Sequence, residues 1–399
     1  MLSVLPTVES RNKLLRFKYS FNHSFTHSLI KFISLSAMSE LNVTGKPSVR
    51  RARQPRKTSK WTYVLVVAMF LFVCFSYYAY QIVYTPNVEV KGDPVYVLIP
   101  RGASYEQAMD SVENKGVIID KLSFRLMAKL MKYPDLVKPG RYELEDGATN
   151  YHLIRKLRSG DQDAVKLTYS NVRLKKDLAN KLSTFIDASP AEIDSLLNSP
   201  EYTQKLGFDT TTILTMFIPN TYEMYWTTSA TEMMERMKKE YDAFWTEERL
   251  AKAQDLGLSP KEVSILASIV QAEQGMHPDE RPRIAGVYLN RLQKGMLLQA
   301  DPTVVYATGD FGIRRVLNVH LKTDSPYNTY KYKGLPPGPI NLPSITSLKA
   351  VLDPEEHDYI YFCAKADFSG YHAFATNEAE HRANARQFHA ALNARKIMK

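Results

Sequence analysis

The longest charge-free apolar run in the chain is WTYVLVVAMFLFVCFSYYAYQIVY, Trp61 to Tyr84, 24 residues. A helix needs about 20 such residues to cross the hydrocarbon layer of a bilayer, so the run predicts one transmembrane helix. Thr85-Pro86-Asn87 ends it. Beyond it the pattern shortens into units of strand, turn and amphipathic helix. The first is Val95–Ile99, a turn at Arg101–Ser104 and a helix to about Glu113, with Ser104 and Gln107 at capping-box spacing. The second is Gly140–Leu144, a turn at Asp146–Thr149 and a helix over Tyr151–Leu157. The third is Val165–Tyr169 and a helix over Leu174–Leu182. A further helix, Lys121–Met131, lies between the first two units, so residues 90–163 read as a small α+β module.

From about Ala191 to Lys252 the periodicity is mostly helical. Met216 to Trp226 stands out as a turn with clustered aromatics, which suits either a sugar face or a core turn. Ser259-Pro260-Lys261-Glu262 then combines an N-cap, a first-position proline and a capping-box acid. The helix it opens is apolar all round through Val270, which predicts burial, and Gly275 is the expected left-handed cap. Glu273 therefore falls in the last turn of a buried helix. Burial and the negative end of the helix dipole both disfavour its carboxylate, as a general acid working near neutrality requires. The plainer reading is an exposed Glu at a frayed helix end. A helix follows at Pro282–Gln293, and Asp301-Pro302 reads as the cap and first turn of another. The stretches Ser325–Tyr330 and Gly334–Asn341 are dense in Pro and Gly and predict a stiff irregular loop. A hairpin (Tyr359–Ala364, Tyr371–Ala375) and a last helix (Glu378–Arg395) complete the chain.

Charge sharpens the membrane reading. The first 60 residues hold 12 Lys+Arg against Glu9 and Glu40, a surplus equal to the formal net charge of +10 for all 399 residues. The rest is electrically balanced, which argues against a nucleic-acid face. Arg50, Arg51, Arg53, Arg56, Lys57 and Lys60 stand just before the apolar run. The positive-inside rule keeps that cluster cytosolic and sends everything after Tyr84 outward from the cytoplasmic membrane. Residues 1–37 look like neither a targeting signal nor a domain, and Met38 is the expected start of translation. The two cysteines, Cys74 in the run and Cys363 outside it, predict no intrachain disulfide in the exported part. The nine His show no metal-ligand spacing, and there is no Gly-rich phosphate loop, so neither metal nor cofactor is expected.

Three blocks carry a resemblance. They are LASIVQAEQ (Leu266–Gln274) with IAGVYLNRLQKGMLLQADPTVVY (Ile284–Tyr306), SPYNTYKYKGLPPGPIN (Ser325–Asn341), and GYHAFATNEAEH (Gly370–His381). In these the chain resembles the endolytic murein transglycosylase family, of the YceG-like or MltG type. The resemblance implies an α+β architecture: a basic tail (1–60), one membrane helix (61–84), a LysM-like module (90–163) and a larger, mostly helical α+β catalytic domain (164–399). It implies a lyase that cleaves MurNAc-β-1,4-GlcNAc bonds in peptidoglycan and leaves 1,6-anhydro ends, without water. It also implies glycan strands as substrate, peptidoglycan synthases as partners and a role in ending nascent strands. LysM folds bind GlcNAc-containing glycans, although the module reads equally well as a spacer. Family members often read S-I-V-E-x-E where this chain has Gln271 and then Glu273. Residues two apart on a helix point about 200° apart, and Gln271 cannot titrate, so Glu273 is the expected catalytic residue. Glu223, Gln299, Asp301, Tyr327, Asn328 and Tyr330 are expected as substrate-binding or supporting groups, with a helix-capping role favoured for Asp301. A catalytically inactive, membrane-anchored peptidoglycan-binding scaffold is the competing expectation.

Overall fold

The computed structural model describes residues 59–170 and 172–395. The basic tail and the Met38 start lie outside the described residues. The chain divides at Leu71–Phe72 into two units. Among the described residues the first holds the opening turns of helix α1 (Lys60–Tyr84), and the second holds the rest of α1 and every other described element. The side chains of α1 are exposed from Trp61 through Tyr78, and the helix is long and apolar enough to cross a membrane.

A first apolar core gathers residues Ile82 to Leu157. Strand β1 (Val95–Ile99) pairs antiparallel with β2 (Gly140–Leu144), placing Val97 opposite Tyr142. Gly140, Tyr142 and Leu144 point inward and alternate with half-buried Arg141 and Glu143, the period-two pattern of a half-buried strand. Between the strands lie α2 (Tyr105–Glu113) and α3 (Lys121–Leu130). Ser104 and Gln107 close the expected capping box on α2, and the Asp120 carboxylate accepts from the Leu122 and Ser123 N–H groups on α3. Helix α4 (Asn150–Ser159) follows β2, capped by Thr149 at its start and by left-handed Gly160 at its end.

A second, larger core runs from Leu167 to Leu352. Strand β3 (Ala164–Thr168) leads into α5 (Lys175–Ser183), α6 (Pro190–Asn198) and α7 (Pro200–Lys205). The aromatic segment expected as a turn is instead strand β4 (Thr221–Tyr225), antiparallel to β3 with Glu223 opposite Lys166. Tyr222 and Met224 point into the core, and Tyr222 stacks on Tyr169. Exposed Thr221, Glu223 and Tyr225 alternate with the buried Tyr222 and Met224, and the strand finds a partner about 55 residues earlier in sequence, a pairing that local pattern does not reveal.

Helices α8 (Ala230–Phe244) and α9 (Glu247–Asp255) precede α10 (Pro260–Glu273), whose residues Val263 to Val270 are all buried. Around α10 pack α11 (Arg281–Gln293), α12 (Asp301–Thr308) and α13 (Ile345–Leu352). The Pro/Gly-rich loop is stitched to α10 through Ser268, whose hydroxyl accepts the Ile340 N–H at 3.1 Å while its carbonyl accepts Asn341 Nδ2 at 2.8 Å. Asn328, fully buried, donates to the carbonyls of Leu321 and Thr323 and accepts the Tyr330 N–H. The hairpin β5 (Tyr361–Ala364) and β6 (His372–Ala375) leads to α14 (Glu378–Ala394).

Two local expectations fail for identifiable reasons. Gly275 is not left-handed; the turn after α10 is made by buried Gln274, whose side-chain oxygen accepts the N–H groups of Met276 and His277. Asp301 is not a cap. Ala300 holds that position, and the Thr329 hydroxyl ties down its N–H at 3.0 Å.

Helix α11 lies so close to the segment before β5 that a Cβ on Gly286 would stand 2.6 Å from the Glu355 carbonyl oxygen. Gly286→Ala is expected to destabilise the protein by about 1–3 kcal/mol through overpacking, read as a lower midpoint in chemical denaturation. A midpoint equal to wild type would mean that this helix is free to move outward.

Candidate active site

Glu273 is the last residue of α10, and its carboxyl group is held from the neighbouring helix. Tyr288 of α11, itself buried, donates its hydroxyl to Glu273 Oε1 at 2.7 Å. The Glu273 side chain is walled in by protein, although the residue keeps some exposure along one side. Burial pushes its pKa up to about 7; the Tyr288 hydrogen bond pulls the other way, and the negative charge of Asp301 adds to the rise. The helix dipole matters less than the sequence suggests. The Arg281 guanidinium donates to the Gln274 carbonyl at 2.9 Å and covers the negative end of α10. A carboxyl poised near neutrality can both give and take a proton at the same site.

Two grooves meet at this carboxyl. The larger encloses about 1010 Å³ and the smaller about 450 Å³, and Glu273 and Asp301 line both. Volumes in this range suit ligands of several rings. The smaller arm is bordered by Gln299, Tyr330, Arg291 and Tyr361. Tyr330 donates to Asp301 Oδ1 at 2.6 Å, so the carboxylate expected to cap a helix is turned to the groove wall instead. Gln299 adopts a left-handed backbone (φ 53°), and its side-chain oxygen accepts from Arg291 at 3.2 Å. Arg291 also donates to the carbonyls of Ile360, Leu297 and Leu298, which fixes the floor of this arm.

The larger arm is bordered by Arg173, Arg314 and Arg315, with Phe311 under the Arg173 guanidinium at 5.0 Å. Among the described residues no carboxylate pairs with any of the three. Gln271 also borders this arm, but its amide is engaged. Its oxygen accepts from the Ser344 N–H at 2.7 Å and the Ser347 hydroxyl at 3.0 Å, and its nitrogen donates toward Asn341 and Leu342.

The structure thus brings Glu273, Gln299, Asp301 and Tyr330 together and leaves three of the expected residues outside both grooves. Asn328 spends its amide on backbone groups within the loop. Tyr327 packs its ring 4.7 Å from that of Tyr306, behind the groove wall. Glu223 stands exposed on β4. Tyr288 and Arg291 were missed from the sequence. The available signal was a Tyr and an Arg three apart on a helix otherwise written in buried residues, which leaves two polar groups needing partners indoors.

Comparison with known proteins gives one answer throughout. The YceG-like family model matches residues 97–387. The endolytic murein transglycosylase of Bacillus subtilis is 30% identical over 292 residues, covering 68% of this chain and 79% of that protein. That of Streptococcus pneumoniae is 26% identical over 359 residues, covering 80% of this chain and 63% of the relative. The crystal structure of a yceG-like protein from Listeria monocytogenes superposes with a TM-score of 0.50 at 28% identity, over 73% of this chain and 98% of that one. A mixed helix and sheet fold with a half-buried glutamate where two grooves join, and a family match across most of the chain, place this protein in the YceG-like family.

Proposed function

We propose that this protein is a membrane-anchored endolytic transglycosylase of peptidoglycan, with Glu273 as both acid and base. The observation that carries the reading is the Glu273 carboxyl at the junction of two grooves, raised to about 7. Protonated Glu273 gives its proton to the glycosidic oxygen as the C1–O bond of MurNAc breaks. The resulting carboxylate takes the proton of the MurNAc 6-hydroxyl as that oxygen closes onto C1. No water is consumed, the proton count balances, and the product carries a 1,6-anhydro end. The substrate supplies its own nucleophile, held close. Arms on both sides of Glu273 let a strand extend in both directions, as an endolytic cut needs. Helix α1 supports anchoring, with the grooves outside the cytoplasmic membrane. On this reading the module at 90–163 is LysM-like and serves either as a glycan binder or as a spacer, and the role in ending nascent strands beside the synthases follows from the family likeness. Tyr288 orients Glu273 and with Asp301 sets its proton affinity, and Tyr330 holds the Asp301 carboxylate. The guanidinium groups of Arg173, Arg314 and Arg315, which pair with no carboxylate among the described residues, suit the carboxylates of stem peptides on the strand.

A second reading has one observation behind it: Asp301 borders both grooves with Glu273, and a pair of carboxyl groups is the equipment of a hydrolase. Digestion of purified sacculi and mass spectrometry of the products separates the two. Anhydro ends that vanish in Glu273→Gln support the transglycosylase, hydrated reducing ends support the hydrolase, and no products at all from wild type support the scaffold.

The pKa argument gives paired outcomes. Tyr288→Phe removes the hydrogen bond that favours the carboxylate, so the alkaline limb of the pH–rate profile moves up. Asp301→Asn removes the charge that opposes it, so the limb moves down while anhydro products persist. Shifts of the same sign in both variants would contradict the assignment. Stability carries the same signature. Between pH 4.5 and about 7 the folded state holds a proton at Glu273 that the unfolded chain releases, so that group's contribution to stability declines as pH rises through this window. Glu273→Gln should therefore melt above wild type at pH 8, with the difference closing below pH 4.5.

Arg314→Ala with Arg315→Ala should raise KM severalfold on peptide-bearing strands and leave it nearly unchanged on strands stripped of peptides. An equal rise on both substrates would assign these residues to the glycan instead.

A further inference from the structure

The end of α1 is built into the folded unit rather than tethered to it. Ile82 lies buried in the first core and Val83 packs against it. Asn150 Nδ2 donates to the Ile82 carbonyl at 3.2 Å and to the Ser123 hydroxyl at 3.0 Å. Three residues past α1, Asn87 Nδ2 donates to the Asp120 carbonyl at 2.9 Å, and its side-chain oxygen accepts the Asp120 N–H at 2.7 Å. The Asn87 carbonyl accepts the Ile119 N–H at 3.0 Å, and Val88 bridges Ile118. The first turn of α3 is therefore bolted to the point where the chain leaves α1.

Helix α3 has two apolar faces. Phe124, Met127 and Ala128 fill the core. Leu122, Leu126 and Leu130, spaced by four, run along the outer side at 73%, 40% and 67% exposure, and Ile119 precedes them at 64%. Such a run is unusual on a water-facing helix of this length. Lys121, Lys129 and Lys132 are exposed beside it, and among the described residues none of the three is in an ion pair. Leucines on one side with free lysines flanking them are the composition of a helix lying in a lipid interface.

We propose that α3 lies on the surface of the bilayer that α1 crosses, with Ile119, Leu122, Leu126 and Leu130 at the headgroup–acyl boundary and the lysines among the phosphates. What selects lipid as the occupant is continuity. The ridge starts at residues hydrogen-bonded to the exit of the membrane helix, so the bilayer is the surface already next to it. The inference rests on reading α1 as a membrane anchor.

The test uses the full chain with Cys74→Ser and Cys363→Ser, reconstituted in vesicles of phosphatidylethanolamine and phosphatidylglycerol. An environment-sensitive fluorophore is placed on single cysteines at Leu122, Leu126 or Leu130, with Phe70 in the span and Lys176 on α5 as references. The expected result is a blue shift and strong quenching by brominated lipid at the three leucine positions and at Phe70, with neither at Lys176. Quenching at Phe70 but not along the ridge overturns the proposal and leaves the anchor standing. Absence of quenching at Phe70 removes the anchor itself. A blue shift along the ridge that depends on protein density and resists brominated lipid assigns the face to a second copy of the chain, and likewise overturns the proposal.

Discussion

One hydrogen bond fixes the side chain on which the proposed chemistry turns: the Tyr288 hydroxyl on the Glu273 carboxyl. It is made between two helices packed in the core, so the Glu273 side chain has few ways to move. It also moderates the carboxyl. Burial and the nearby charge of Asp301 favour the protonated form, and the donated hydrogen bond favours the ionised one. The balance near 7 is what the proposed proton relay requires of one group, whereas an unassisted buried carboxyl would hold its proton too tightly to return as a base.

The segments packed around Glu273 keep α10 in place. Ser268 and Gln271, on the same helix, bind the rigid loop and the start of α13 through hydroxyl, amide and carbonyl groups. At the helix end the Gln274 side chain accepts from the Met276 and His277 N–H groups and Arg281 donates to the Gln274 carbonyl, so side chains satisfy the backbone there. Gln271 is thereby accounted for as a structural residue. An acid at that position would meet the Asn341 and Leu342 carbonyl side of the pocket as well as the two serines, and the amide can donate to one and accept from the other.

Much of this was legible in the sequence because it is local. Capping boxes at Ser104 and Ser259, strand alternation at Gly140–Leu144 and the all-round apolar character of α10 each depend on neighbours within a few residues. What was not legible depends on packing between distant segments. Strand β4 exists because β3 is there to pair with it. The Tyr288–Glu273 contact spans fifteen residues and two helices. Asp301 had the local signature of a cap, yet Thr329 reached the helix start from the loop and left the carboxylate for Tyr330. Asn328 looked like a rigidly mounted ligand group, and its rigidity is the role it fills.

The most direct test is the titration of Glu273 itself. The full chain is labelled with 13C at the glutamate carboxyl carbon, and the Glu273 signal is assigned by its loss in Glu273→Gln. Its chemical shift followed with pH should give a midpoint near 7. A midpoint at the ordinary glutamate value near 4.5 would mean that the carboxyl is ionised at neutrality and has no proton to give, and the acid–base account would fall with it.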